Sequence, residues 1–294
     1  MRVLFATALG AALSTAALSA RAQDFRTLPA NATPPPGTRT DDVSRSGPYW
    51  SAGPYRPFVA GSFKTGGIGI DTEIAVGFGK PHYLWAGLEL DTGLSLRGAT
   101  EWLGVKVGTP WATIRFGPRY FTAFSQRLIA ETKGPVTRAA LDVDEAPRTH
   151  YLSIDAEAAF QIPLPASGSL GLVLTANDVM FVQEGYWVFE DSLRVVVEPG
   201  FVGRARLSYL TGVGLYDTLY VGGVIEVLGN PGRDYVNVRL GPAVTVALTH
   251  HLEAYGVAVL SVFNPDEIGL AGADLGQIGL RYRWATGDLW PDFP

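Results

Sequence analysis

Cysteine is absent from this sequence. That excludes a disulfide framework and every thiolate metal site. Lysine is scarce, with four lysines against nineteen arginines. A strand face bathed in water is usually given Lys, Glu and Thr, whereas a confined space suits arginine paired with carboxylates. Histidine occurs four times, at His82, His150, His250 and His251, always in a turn or at a strand end. No serine is placed to pair with one. Gly-x-Ser-x-Gly, His-Glu-x-x-His and phosphate-loop patterns are missing as well. We therefore expect neither an enzyme nor a bound cofactor or metal. Beyond residue 22 no stretch reaches the ~18 apolar residues of a membrane helix. If this chain crosses a membrane, it does so with strands.

The N-terminus carries Arg2, an apolar run from Val3 to Leu18, and Ala20-Arg21-Ala22. That is the charged, hydrophobic and Ala-x-Ala pattern of a secretory signal peptide, with cleavage expected after Ala22. Losing Arg2 and Arg21 leaves 21 basic residues against 28 acidic, a net charge near −7. Such a balance argues against nucleic acid as a partner. Residues 23–55 hold Pro29, Pro34, Pro35, Pro36, Pro48 and Pro54 and show no hydrophobic period. They read as an extended arm that cannot bury enough surface to fold alone. It is either a bare linker or a docking arm for a protein partner, with Tyr49, Trp50 and Tyr55 as aromatic anchors.

From Pro57 onward the period is two almost everywhere. In the third strand Leu84, Ala86, Leu88, Leu90, Thr92, Leu94 and Leu96 share one face, opposite Gly87, Glu89, Asp91, Gly93, Ser95 and Arg97. Seven matched dyads in a row mark a half-buried strand. The same reading gives strands at about 56–65, 68–78, 103–107, 114–124, 152–162, 170–174, 192–210, 219–227, 236–248, 252–263 and 277–284. Pro199-Gly200 is either a bulge or a turn that splits the eighth. Residues 125–149 form the longest break, with short helical turns expected over 126–132 and 137–143. Its acidic residues Asp142, Asp144 and Glu145 read as a solvated loop. Residues 184–191 read as a further loop. Aromatics near strand ends (Trp85, Trp102, Trp111, Tyr151, Trp187, Tyr235, Phe263, Trp284) suggest interfacial girdles.

The last strand places Ile278, Leu280, Tyr282 and Trp284 on one face and Gln277, Gly279, Arg281 and Arg283 on the other. The spacing of Gln277, Gly279, Tyr282 and Trp284 resembles the closing-strand signal of bacterial outer-membrane β-barrels. As a class likeness the resemblance runs over residues 56–284. It implies an all-β fold: a transmembrane antiparallel up-and-down barrel of about 12 strands, with ten or fourteen as alternatives. It also implies two periplasmic termini, an extracellular 125–149 loop, outer-membrane lipid as surroundings, and the barrel assembly machinery as reader of the signal. The domains become a signal peptide (1–22), a Pro-rich periplasmic arm (23–55), the barrel (56–285) and a short tail (286–294). A soluble sandwich or lipocalin-like barrel is the alternative, but it calls for a charged outer face.

The inward set is sorted by sign. Asp71, Glu73, Glu89, Asp91, Asp155 and Glu157 are acidic; Lys106, Arg115, Arg119, Arg194, Arg204, Arg206, Arg239, Arg281 and Arg283 are basic. Charges in a restricted lumen are expected to pair. They form either a lattice bracing the wall or a charge-lined constriction passing small solutes. The first suits a non-enzymatic barrel that anchors or connects an envelope machine for motility, adhesion or polymer export, with periplasmic or outer-membrane partners. The second suits a porin-like channel. An outer-membrane hydrolase is the third and weakest expectation.

Overall fold

A computed structural model describes Trp50 and residues 54–66, 69–141, 146–164, 168–213, 219–249, 251–268 and 274–287, the last range without the side chains of 274–277. The signal peptide, Tyr49 and nearly all of the arm, Asp142, Asp144, Glu145, the side chain of Gln277 and most of the tail lie outside these residues.

The first strands in chain order are β1 (Arg56–Gly66), β2 (Gly69–Lys80), β3 (Leu84–Ser95), β4 (Gly98–Gly108), β5 (Ala112–Arg127) and β6 (Ile129–Ala130). There follow β7 (Arg148–Leu164), β8 (Gly168–Met180), β9 (Tyr186–Glu190), β10 (Val195–Val197) and β11 (Gly200–Val213). The chain ends with β12 (Leu219–Asn230), β13 (Tyr235–Ala247), β14 (Leu252–Phe263) and β15 (Asp274–Ala285). Twelve of these close an antiparallel barrel, while β6, β9 and β10 form a small sheet of their own. Pairing of β1 with β15 makes the seam, Phe63 facing Tyr282 and Gly61 facing Trp284. A Cβ on Gly279 would lie 1.8 Å from the Thr65 carbonyl and 2.8 Å from the Tyr255 hydroxyl. The glycine of the closing signal is thus where Tyr255 crosses the seam.

The sheet is apolar outside and charged inside. Val76, Leu88, Leu103, Ile114 and Phe116 are all more than half exposed. The intervening Glu89, Arg119 and Asp155 are buried. Alternation of side chains across each strand produces both faces at once. Closure pairs the strand edges, so the lack of disulfides costs nothing in definition.

One open alternative is settled and two local expectations are corrected. The stretch 192–210 is not one strand: Pro199 has no amide to donate and Gly200 sits at φ +113, so the chain turns there and β10 belongs to another sheet. Tyr186–Glu190 is a strand, not loop. Residues 126–127 continue β5, with Gln126 donating from Nε2 to the Phe189 carbonyl at 2.5 Å; among the described residues of that region helical geometry is confined to the 3-10 turn Arg138–Leu141. The girdle reading also fails for several rings. Trp85, Trp102, Tyr151, Trp187 and Tyr235 are buried, whereas Trp111 and Phe263 are at least half exposed. A bore of this width needs filling, and those inward rings help to fill it.

Candidate functional site

The site is the lumen. Its charges pair between strands around the wall. Lys64 on β1 meets Glu73 on β2, and Lys106 on β4 meets Glu89 on β3 at 2.6 Å. Arg115 on β5 reaches Asp91 at 3.4 Å and Glu157 on β7 at 3.3 Å. Arg204 and Arg206 on β11 and Arg239 on β13 converge on Glu226 of β12, at 3.9, 2.7 and 3.1 Å. Arg281 and Arg283 share Glu253 of β14. Breaking one partner of such a buried pair leaves a stranded charge, a loss of about 3–5 kcal/mol.

One mouth is stopped by the chain itself. Between β8 and β11 the hairpin β9–β10 folds across the bore. Val188, Leu193, Val195 and Val197 pack on the inward side chains Phe121, Tyr151, Val179, Val202, Leu228 and Tyr235. Fully buried aliphatic side chains of this kind contribute about 1.5–3 kcal/mol each. On the hairpin's other side, Trp187, Phe189 and Val196 are covered by Ile129, Val136 and Ile268. It is a plug with two buried faces.

Polar contacts set its depth. Glu190 Oε1 lies 2.5 Å from Arg119 Nη1, and Arg119 Nε donates to Asp155 at 2.6 Å. The Tyr151 hydroxyl and the Leu193 amide also donate to Glu190. Burial pushes the Glu190 carboxyl up, but Arg119, the Leu193 N–H and the Ser192 hydroxyl outweigh it and hold it below the usual carboxylate range. Arg239 donates to the Leu193 and Arg194 carbonyls, 2.8 Å each. At the tip Arg97 pairs with Asp191 at 3.0 Å, carrying the plug across to the β3–β4 turn. A lid holds it down: Arg233 donates to the Val196 carbonyl and pairs with Asp266, which accepts the Val136 amide.

The opposite mouth holds an aromatic stopper. Trp50 is 4 % exposed and packs with Phe58, Ala60, Ala75, Trp85 and Ala285. Its ring meets His82 and His251 edge-on, at 4.6 and 5.3 Å between centroids. His82 Nε2 lies 3.0 Å from the Trp284 carbonyl. Burial pushes the His82 imidazole down to about 4, with that carbonyl opposing the shift.

The expected inward charges thus sit in the lumen with one exception. Arg194 belongs to the turn of the plug, at φ +54, and offers its carbonyl to Arg239. Trp50 is committed to the barrel's own mouth, while Tyr55 is exposed beneath the Lys80 ammonium. The sequence reading missed Lys64, Glu226, Glu253 and Glu190. Glu226 and Glu253 were detectable, since each neighbours an outward residue (Ile225, Leu252) and must face in. Glu190 gave no such signal.

A closed 12-strand sheet with a lipid-compatible exterior and a charged interior defines the chain as a bacterial outer-membrane β-barrel. No protein-family model and no curated protein sequence matches it. Among solved structures it is similar to the KdgM porin, with 6 % identity, 77 % of this chain and 99 % of that one covered, and a TM-score of 0.39. The translocator domain of the autotransporter NalP from Neisseria meningitidis matches at 13 % identity over 79 % and 89 %, TM-score 0.38. The β-domain of the Bordetella autotransporter BrkA matches at 14 % identity over 78 % and 98 %, TM-score 0.35.

Proposed function

We propose that this barrel is a braced, self-plugged anchor that connects other proteins of the cell envelope, in an assembly for motility, adhesion or polymer export, and carries out no chemistry itself. The observation behind the proposal is the β9–β10 plug, apolar on both faces and gripped by Arg119, Arg239 and Arg97. Ion pairs around the wall stiffen the cylinder beneath it. Trp50, seated in the other mouth, fixes the chain there ahead of β1, as suits an N-terminal tether to partners.

A second reading has one observation in its favour. On β15, β1 and β5 the luminal side chains keep some contact with solvent, Arg281 at 33 % and Lys64 and Arg115 at 27 %. In that reading the barrel is a small-solute channel with a mixed-charge lumen.

Planar-bilayer recording of the refolded full chain separates the two. The anchor reading expects silence from the wild type and conductance after deletion of residues 186–197. Stable wild-type conductance, altered by Arg115→Ala or Glu89→Ala, would replace it with the channel reading. Deleting residues 24–54 should then abolish partner recruitment for an anchor and leave membrane insertion intact.

A further inference from the structure

Arg127 and Arg148 face each other in the β5–β7 ladder. Like charges placed directly opposite are unfavourable in a sheet, yet the backbone holds this pair together, with the Leu128 amide donating to the Pro147 carbonyl at 2.9 Å. Arg148 and His150 are exposed and alternate with buried Thr149, so this rim points away from the lumen. Neither guanidinium has an ion-pair or hydrogen-bond partner among the described residues.

Their height on the barrel is informative. Outward apolar residues of β5 run from Ile114 to Phe124, about 33 Å along the strand. At a strand tilt of about 40° that spans about 25 Å of membrane normal, the height of the apolar band of such barrels. Arg127 lies three residues beyond Phe124 and therefore at headgroup level. Phe124 also walls an outward groove of about 570 Å³, lined further by Ile70, Leu94, Leu96 and Ile278. Two cations without counter-ions among the described residues thus lie beyond Phe124, the residue that walls one side of this apolar groove.

We propose that this rim binds a phosphate-bearing membrane lipid, its phosphate between Arg127 and Arg148 and an acyl chain passing Phe124 into the groove. Guanidinium forks match phosphate oxygens in geometry and charge. A phosphate there removes the repulsion between the two arginines, and the groove accounts for a lipid rather than a free anion.

Native mass spectrometry of the refolded full chain in detergent, titrated with dioleoyl phosphatidic acid, tests this. Dioleoylglycerol supplies the same chains without phosphate, and inorganic phosphate supplies the anion without chains. Wild type should retain phosphatidic acid, and Arg127→Gln/Arg148→Gln should bind it about tenfold more weakly. Phe124→Ser should also weaken it, with both arginines kept. Each variant must first show the heat-dependent gel mobility of a folded barrel. Lys133→Gln/Arg138→Gln, which removes two exposed charges on either side of buried Val136, should leave binding unchanged. Equal binding by the double variant, equal loss in this control, or displacement of the lipid by equimolar inorganic phosphate would each overturn the proposal.

Discussion

The Glu190 carboxylate and the Arg119 guanidinium meet at 2.5 Å across the boundary between plug and wall. One is carried by β9, the other by β5, and both are buried. Their contact is the charged fastening of an otherwise apolar seat. Glu190→Gln leaves Asp155 as the one carboxylate paired with Arg119 among the described residues and should destabilise the seated plug by about 3 kcal/mol or more. In bilayer recordings the variant should show brief conducting bursts that wild type lacks. Identical traces would mean that apolar packing alone holds the plug.

Acid should act on the same contact. The Glu190 carboxyl is held below its ordinary 4.5 in the folded chain. A carboxyl depressed by folding stabilises fully above its unfolded value, and that contribution is lost as pH falls through the folded one. The protection factor of the Leu193 amide, which donates to Glu190, should therefore hold constant through neutral pH and fall only well into the acid range. A protection factor that falls on raising the pH instead would contradict the assignment.

At the other mouth the window differs. His82 titrates at about 4 when folded against an ordinary 6.5. The unfolded chain takes up the proton first, so stability is complete above 6.5 and falls as pH drops toward 4. An imidazole proton resonance of His82 should move with a midpoint near 4, and Trp50→Ala should bring that midpoint back up by hydrating the ring. A wild-type midpoint near 6.5 would remove His82 from the buried stopper.

Much of the barrel was legible in the sequence, for a reason visible in β3. Its leucines stand in lipid and its carboxylates in the lumen, so burial and polarity alternate with the pleat. The plug was not legible, because it obeys no such alternation. Trp187, Val188 and Phe189 are consecutive and all buried, as are Val195, Val196 and Val197. A strand covered on both faces is apolar at every position and loses the period of two. Arg194 was misplaced by the same stretch: it keeps step with Arg204 and Arg206 in sequence, while the turn at Pro199-Gly200 puts it in another sheet.

That turn gives its own prediction. Gly200 has open space around its missing Cβ but a φ of +113, and Gly134 has open space without the unusual angle. Gly200→Ala should cost about 1–3 kcal/mol from backbone strain, while Gly134→Ala should stay within about 0.5 kcal/mol. Urea unfolding in lipid vesicles compares them directly. Equal midpoints would show that residue 200 can relax.

Glu101 offers a gain. It is exposed on β4 between Thr92 and Tyr120, on the outward face with Leu103 and Val105, and has no ion-pair partner among the described residues. Glu101→Leu should raise stability by about 1 kcal/mol or less, the scale for an acidic side chain on the lipid face. A loss of stability would indicate that this face is wet or partnered.

The plug is continuous with β8 at one end and β11 at the other. A stopper supplied by a separate protein is lost to dilution once it leaves. One tethered at both ends meets its seat at an effective concentration on the order of millimolar, whatever the abundance of the protein. Any opening of this barrel is therefore a self-cancelling excursion, whose duration is set by chain length and seat strength rather than by supply.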